Sequence, residues 1–225
     1  MNPTFRNGEI LDIFSESTGE AWEKLSMALL NSGERTLVNN TPVVEIRWLS
    51  IHVNRPLKEP RISDKFNDFC RKIKLEENAK PRAYFLQITG NMREGYWWNV
   101  YGKPIWEQIS KLEEILKQNP SYNKPSIVLR NSMKHLGARD TPCLVYFTFL
   151  IRNRKLELGV HFDTNAVEYI QGNMYGLSEL QKMVSRKLKL EVGTYRHHCD
   201  SLFVNEKHLH SLVQIMRQIE TKSGT

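Results

Sequence analysis

Helices covering a sheet, an α+β arrangement, is the fold class this chain predicts. Segments with apolar residues at helical spacing are interspersed with segments that alternate or run continuously apolar, in mixed order. Two neighbouring apolar runs, Cys143 to Ile151 and Leu156 to Phe162, are separated only by Arg152-Asn153-Arg154-Lys155, which reads as a hairpin turn. The chain has 225 residues, 40% of them hydrophobic and five of them Trp, enough to bury a full core in one domain spanning 1–225.

The elements follow in order. Ser17-Thr18-Gly19-Glu20 fits a capping box, and Trp22, Leu25, Ala28 and Leu29 then keep helical spacing until Gly33, predicting a helix over roughly 18 to 32. Residues 43 to 53 alternate and are rich in β-branched types, so they read as a strand, closed by Pro56 and Pro60. A charged segment from Ile62 to about Leu75 reads as helical, while Arg82 to Thr89 fits a helix end or a strand equally. Pro104 suits the first turn of a helix with Ile105, Ile109, Leu112 and Leu116 on one face, stopped by Asn119-Pro120. After the hairpin, Leu177, Leu180, Val184 and Leu188 mark a helix over about 174 to 189. Leu209, Leu212, Val213 and Met216 mark the last one, and the polar tail after Ile219 is expected to fray.

Composition narrows the function classes. No uninterrupted apolar run reaches the roughly 18 residues of a membrane span, and no basic leader precedes an apolar stretch, so a cytoplasmic protein without membrane contact is expected. Three cysteines without CxxC spacing argue against a disulfide framework and a structural zinc site, and for a reducing compartment. The formal charge of +7 favours anionic partners. It is too dispersed to specify nucleic acid, and neither an RNA nor a DNA motif is present. His197-His198-Cys199-Asp200 is not read as a metal motif, because adjacent residues on a strand face opposite ways.

Several pieces occur in one order: Val100-Tyr101-Gly102, Gln108, Asn119-Pro120, Pro142-Cys143, the Arg152 to Phe162 hairpin, Asn173-Met174-Tyr175-Gly176-Leu177-Ser178-Glu179-Leu180, and Gly193-Thr194-Tyr195-Arg196-His197-His198. Together, over nearly half the chain, they resemble the thymidylate synthase and deoxycytidylate hydroxymethylase family, especially its short branch. The resemblance implies a strongly twisted mixed sheet and a homodimer formed through a sheet face. It also implies one-carbon transfer to C5 of a pyrimidine nucleotide, with methylenetetrahydrofolate as donor. Within it Cys143 is the nucleophile for C6, and Tyr101 helps organise removal of the C5 proton. Asn173 reads the base, favouring a uracil-like edge, because a carboxylate there is the hydroxymethylase device for cytosine. Trp97 and Trp98 fall where apolar surface meets base and folate. Read from residue type alone, Cys143 is equally a small buried hydrophobe, Tyr101 a core residue and Asn173 an N-cap before the 174 to 189 helix.

The chain also departs from that pattern. Where family members carry paired arginines after the Asn119-Pro120 step, this chain has Asn123 and Lys124. A further arginine and serine fall on Asp163 and Thr164, the family acid falls on Ala166, and the sugar-binding histidine and tyrosine fall near Phe203 and Asn205. The candidate substrate contacts are therefore Lys124, Asp163, Thr164, Asn165 and Asn173. Arg130, Arg139, Arg152 and Arg154 are the arginines available to compensate. A hydrogen bond to a charged group is worth roughly 1.5 to 3 kcal/mol, so three missing arginines weaken the hold on a phosphate by about 5 kcal/mol. Either the substrate is a non-standard pyrimidine nucleoside or nucleotide, or the chain is a non-catalytic binding or regulatory descendant.

Overall fold

The computed structural model describes residues 11–76, 95–138 and 141–217. Seven strands form one mixed sheet: β1 (Leu11–Ser15), β2 (Glu34–Val38), β3 (Thr41–Val53), β4 (Ser126–Val128), β5 (Leu144–Arg152), β6 (Lys155–Ala166) and β7 (Glu191–Asn205). Their order is β1-β3-β7-β6-β5-β4, with β2 also paired to β3; β1 with β3 and β6 with β7 run parallel, the rest antiparallel. The α+β expectation is met. The helices are α1 (Thr18–Ser32), α2 (Asp64–Lys72), α3 (Lys103–Gln118), the short α4 (Ser132–His135), α5 (Val167–Leu188) and α6 (Glu206–Arg217). A helical turn, Gly95–Trp97, and a π-helical turn, Trp98–Gly102, lead directly into α3. No described helix is long and apolar enough to cross a membrane.

Local rules account for most boundaries. Ser17 accepts from the Glu20 N–H at 3.2 Å and caps α1, while Glu20 reaches back to the N–H of Glu16 at 2.8 Å. Gly33 ends α1 in extended backbone at φ −71, so it is needed for space: a Cβ there would meet Leu29 O and Val44 Cγ1 at 2.5 Å. Pro104 lies in the first turn of α3, and Ile105, Ile109, Leu112 and Leu116 are its buried stripe. In the β5–β6 hairpin Asn153 and Arg154 both take left-handed backbone, φ 50 and 61, giving the primed geometry without Asn-Gly.

The structure corrects the expected elements in several places. The charged helix near 62–75 shortens to Asp64–Lys72, capped by Ser63. β1, β2 and the short β4 were not expected. The helix expected over 174 to 189 begins seven residues earlier, at Val167, because Glu168, Gln171 and Asn173 are buried polar residues that interrupt an apolar pattern. Gln171 is held by the carbonyls of Thr18 at 3.2 Å and Arg61 at 3.0 Å. Asn173 therefore lies inside α5 and caps no helix. Arg82 to Thr89 and the tail after Ile219 lie outside the described residues.

The buried apolar residues form one continuous core between the helices and one sheet face. Trp22 is fully buried against Phe66 and Phe69, and its Nε1–H donates to Val167 O at 3.0 Å, tying α1 to the first turn of α5. The sheet itself changes face along one line. Arg47 and Trp48 are consecutive exposed residues in β3, Trp48 with a left-handed φ of 59; Asp200 and Ser201 are consecutive outward residues in β7, and Asp163 and Thr164 in β6. These positions are aligned, Arg47 opposite Ser201 and Ser201 opposite Thr164. Next to them β5 carries an extra residue, Val145, between the pairs Leu144–Phe162 and Tyr146–His161.

Trp22→Ala should destabilise the fold by about 3–5 kcal/mol, from lost burial and the cavity left in the core. Denaturant unfolding checks this, and a loss under about 1 kcal/mol would contradict the anchoring of α5 by Trp22.

Candidate active site

Cys143 directly precedes β5, beside the extra residue that bends it. The Val145 carbonyl accepts from the N–H groups of both Leu129 at 3.0 Å and Arg130 at 3.2 Å, fixing the backbone of Arg130 next to the bulge. Arg130 Nη2 then donates to Pro142 O at 2.7 Å and pairs with the Asp163 carboxylate, while the Asp163 N–H donates to Cys143 O at 3.1 Å. Tyr101, on the last turn before α3, is 5% exposed; its hydroxyl accepts from the Cys143 N–H at 3.1 Å. Trp97 stacks on Tyr101, ring centroids 5.5 Å apart, and keeps 42% of its surface exposed, with Trp98 half-buried beside it.

The surroundings of Cys143 raise its thiol overall, through opposing effects. Burial pushes its thiol up and the Asp163 charge adds to that, while the Arg130 guanidinium and a hydrogen bond to Tyr101 pull it down. Burial also raises Tyr101, with the neighbouring Cys143 adding to the effect. Arg130 Nε, Asp163 Oδ1 and Thr164 Oγ1 are buried with no hydrogen-bond partner among the described residues, polar groups that a ligand or water would satisfy.

A second set of residues lies on the helix-covered face. Asn173 Nδ2 donates to Asn165 Oδ1 at 2.6 Å, Asn165 Nδ2 donates to His197 Nε2 at 3.0 Å, and His197 Nδ1 meets Tyr195 Oη at 2.9 Å. With Nε2 accepting, Nδ1 carries the proton and the imidazole is neutral. Burial holds His197 down to about 3, with His198 and His161 adding to the effect, and Phe162 stacks on its ring at 4.7 Å. Because Asn165 already uses its amide N–H on His197, it presents only oxygen to Asn173. That fixes which way round the Asn173 amide sits.

The structure thus brings Cys143, Tyr101, Trp97, Asp163 and Thr164 into one neighbourhood, and joins Asn173 to Asn165. Lys124 is placed elsewhere: it precedes Pro125, whose carbonyl accepts from the Phe149 N–H, near the hairpin end of β5 and about 20 Å along the strand from Cys143. Among the described residues of one chain the nearby cation is Arg130; Arg152 and Arg154 lie at the far hairpin, and Arg139 is outside the described residues. The His197–Tyr195 support was missed in the sequence. Its signal was parity, since Tyr195, His197 and Cys199 share the buried side of β7.

No protein-family model matches the chain. A Methanocaldococcus jannaschii protein provisionally named a thymidylate synthase is 36% identical over 206 residues, covering 87% of this chain and 90% of its own. The chain belongs to the thymidylate synthase family. Thymidylate synthases of Bacillus licheniformis and Bacillus mojavensis are each 26% identical over 149 residues, 64% of this chain and 50% of theirs. The chain spans about half the length of these Bacillus members of the thymidylate synthase family.

Alkylation of Cys143 tests this balance. Asp163→Asn removes a negative charge, lowers the thiol pKa and should speed alkylation near neutral pH; Arg130→Met should slow it, each by up to about tenfold. Rates followed by iodoacetamide labelling and mass spectrometry would contradict the assignment if both variants moved the same way.

Proposed function

We propose that residues 1–225 act as one thymidylate synthase-like domain that transfers a one-carbon unit, methyl or hydroxymethyl, to C5 of a uracil-type pyrimidine, with Cys143 as the nucleophile. The observation carrying this reading is the convergence of Cys143, Tyr101 and Arg130 next to partnerless polar atoms, in a chain of that family. The Cys143 thiolate adds to C6 of the base, and the electron pair displaced from the C5–C6 double bond makes C5 the nucleophile. The Arg130 guanidinium favours the thiolate, and Tyr101 stands where it can hold a proton acceptor as C5 loses its hydrogen.

Asn173 supports the uracil preference. One amide N–H is spent on Asn165, leaving one N–H for a carbonyl such as O4 and the oxygen for an N3–H donor. The exposed face of Trp97, with Trp98 beside it, fits a flat heterocycle such as the pterin of a folate. Methylenetetrahydrofolate, when bound, supplies the one-carbon unit and the electrons that reduce it. Phosphate is the poorer match: Arg130 is neutralised by Asp163, and Lys124 is too distant within one chain. A nucleoside, or a nucleotide whose phosphate is met by a second copy docked on the open sheet face, is the preferred substrate.

One observation favours a second reading. Burial and Asp163 both raise the Cys143 thiol, as in a protein that binds a pyrimidine without turning it over. Tritium release separates the two. With C5-tritiated uridine, deoxyuridine and their monophosphates plus the folate, wild type should release tritium and Cys143→Ala should lose at least about 1,000-fold, the scale of removing a covalent nucleophile. No release from any of the four would leave the binding reading standing and remove the catalytic one.

A further inference from the structure

Facing away from the helices, one residue from each of four adjacent strands makes a continuous row. Ser50 on β3 pairs with His198 on β7, His198 with His161 on β6, and His161 with Tyr146 on β5. Asp200 is two residues beyond His198 and shares its face. His161 Nε2 lies 3.2 Å from Asp200 Oδ2, His198 Nε2 lies 3.2 Å from Asp200 Oδ1, and one ligand atom from each of the three residues falls within a 4.8 Å group.

We propose that His161, His198 and Asp200 bind a divalent transition-metal ion of zinc chemistry on the open face of the sheet. Ligand–metal bonds of about 2.0–2.1 Å in a tetrahedron put ligand atoms about 3.3 Å apart; each imidazole Nε2 already lies 3.2 Å from one oxygen of Asp200, and the three ligand atoms lie within 4.8 Å of one another, so a modest adjustment of side chains brings them round one ion. Ser50 Oγ lies 3.1 Å from His198 Nδ1, the outer hydrogen bond that fixes a ring's tautomer and leaves Nε2 for the metal. Tyr146 stacks on His161 with centroids 5.3 Å apart and planes 13° apart, restricting the second ring. Asp200 has no Lys or Arg partner among the described residues, and its buried Oδ1 makes no hydrogen bond although an imidazole nitrogen is beside it.

Two imidazoles and one carboxylate select zinc-like ions over calcium or magnesium, which take oxygen cages. Three protein ligands leave a position open to water or to a group from a second chain. The arrangement was hidden in the sequence because His161 and His198 are 37 residues apart, and only the parallel pairing of β6 with β7 makes them neighbours. His197, adjacent to His198, points into the core and takes no part.

The untagged full chain, freed of metal by a chelator, is titrated with Zn2+ by calorimetry and with Co2+ by visible spectroscopy. One ion per chain should bind, raise the thermal midpoint and give cobalt bands of a nitrogen–oxygen site without a thiolate band. Mg2+ and Ca2+ should do neither. His161→Gln and Asp200→Asn should each weaken Zn2+ binding by about 100-fold or more, and Ser50→Ala, which leaves the ligands intact, by about tenfold. Metal-free melting of each variant establishes that it folds. Absence of stoichiometric binding, a thiolate band, or Zn2+ binding unchanged in His161→Gln and Ser50→Ala would overturn the site.

Discussion

The reversal of sides shared by β3, β7 and β6 is the constraint on which both candidate sites depend. Two consecutive residues turned the same way invert every side chain beyond them. In β6 the reversal at Asp163 and Thr164 leaves His161 on the open face and sends Asn165 inward to Asn173. In β7 it leaves His198 and Asp200 outward while His197 stays beneath the sheet. Trp48 holds a left-handed backbone at the same line, a conformation that costs of order 1–3 kcal/mol for a bulky residue and persists only because its neighbours fix it.

Charge around Cys143 follows from the same bend. The extra residue in β5 places one carbonyl where it receives both Leu129 and Arg130, so the guanidinium reaches Pro142 and Asp163 from a rigid backbone. On the proposed reading, Arg130 takes up only part of the role of the arginines this chain lacks. Its charge is shared with Asp163, whose own effect on the thiol runs the opposite way. On that reading the Arg130 guanidinium is better suited to orienting a neutral base and a thiolate than to holding a dianionic phosphate.

Most of the fold was legible in the sequence where apolar spacing was strong: α1 starts and ends as its capping box and Gly33 indicate, and α3 and the β5–β6 hairpin follow their patterns. Legibility failed where burial is polar. Glu168, Gln171 and Asn173 hid the first two turns of α5 because they interrupt the apolar pattern, and the carbonyls of Thr18 and Arg61 that hold Gln171 are remote in sequence. Short, exposed β2 carried no signal. For the candidate site, Cys143, Tyr101 and Asn173 were nominated from motif order, whereas Arg130 and His197 joined the candidates only through strand register. The adjacent histidines illustrate the point: they do face opposite ways, and each finds its partners on a different side of the sheet.

The central claim is that Cys143 attacks C6 of a pyrimidine. A fluorine at C5 cannot leave as the proton does, so a 5-fluoropyrimidine nucleoside or nucleotide, given with methylenetetrahydrofolate, should stall the reaction as a covalent adduct. Intact-protein mass spectrometry should show one added mass equal to inhibitor plus folate, mapped by proteolysis to Cys143 and missing in Cys143→Ala. An unmodified chain across the nucleoside and nucleotide forms, or an adduct on Cys70 or Cys199 instead, would contradict it.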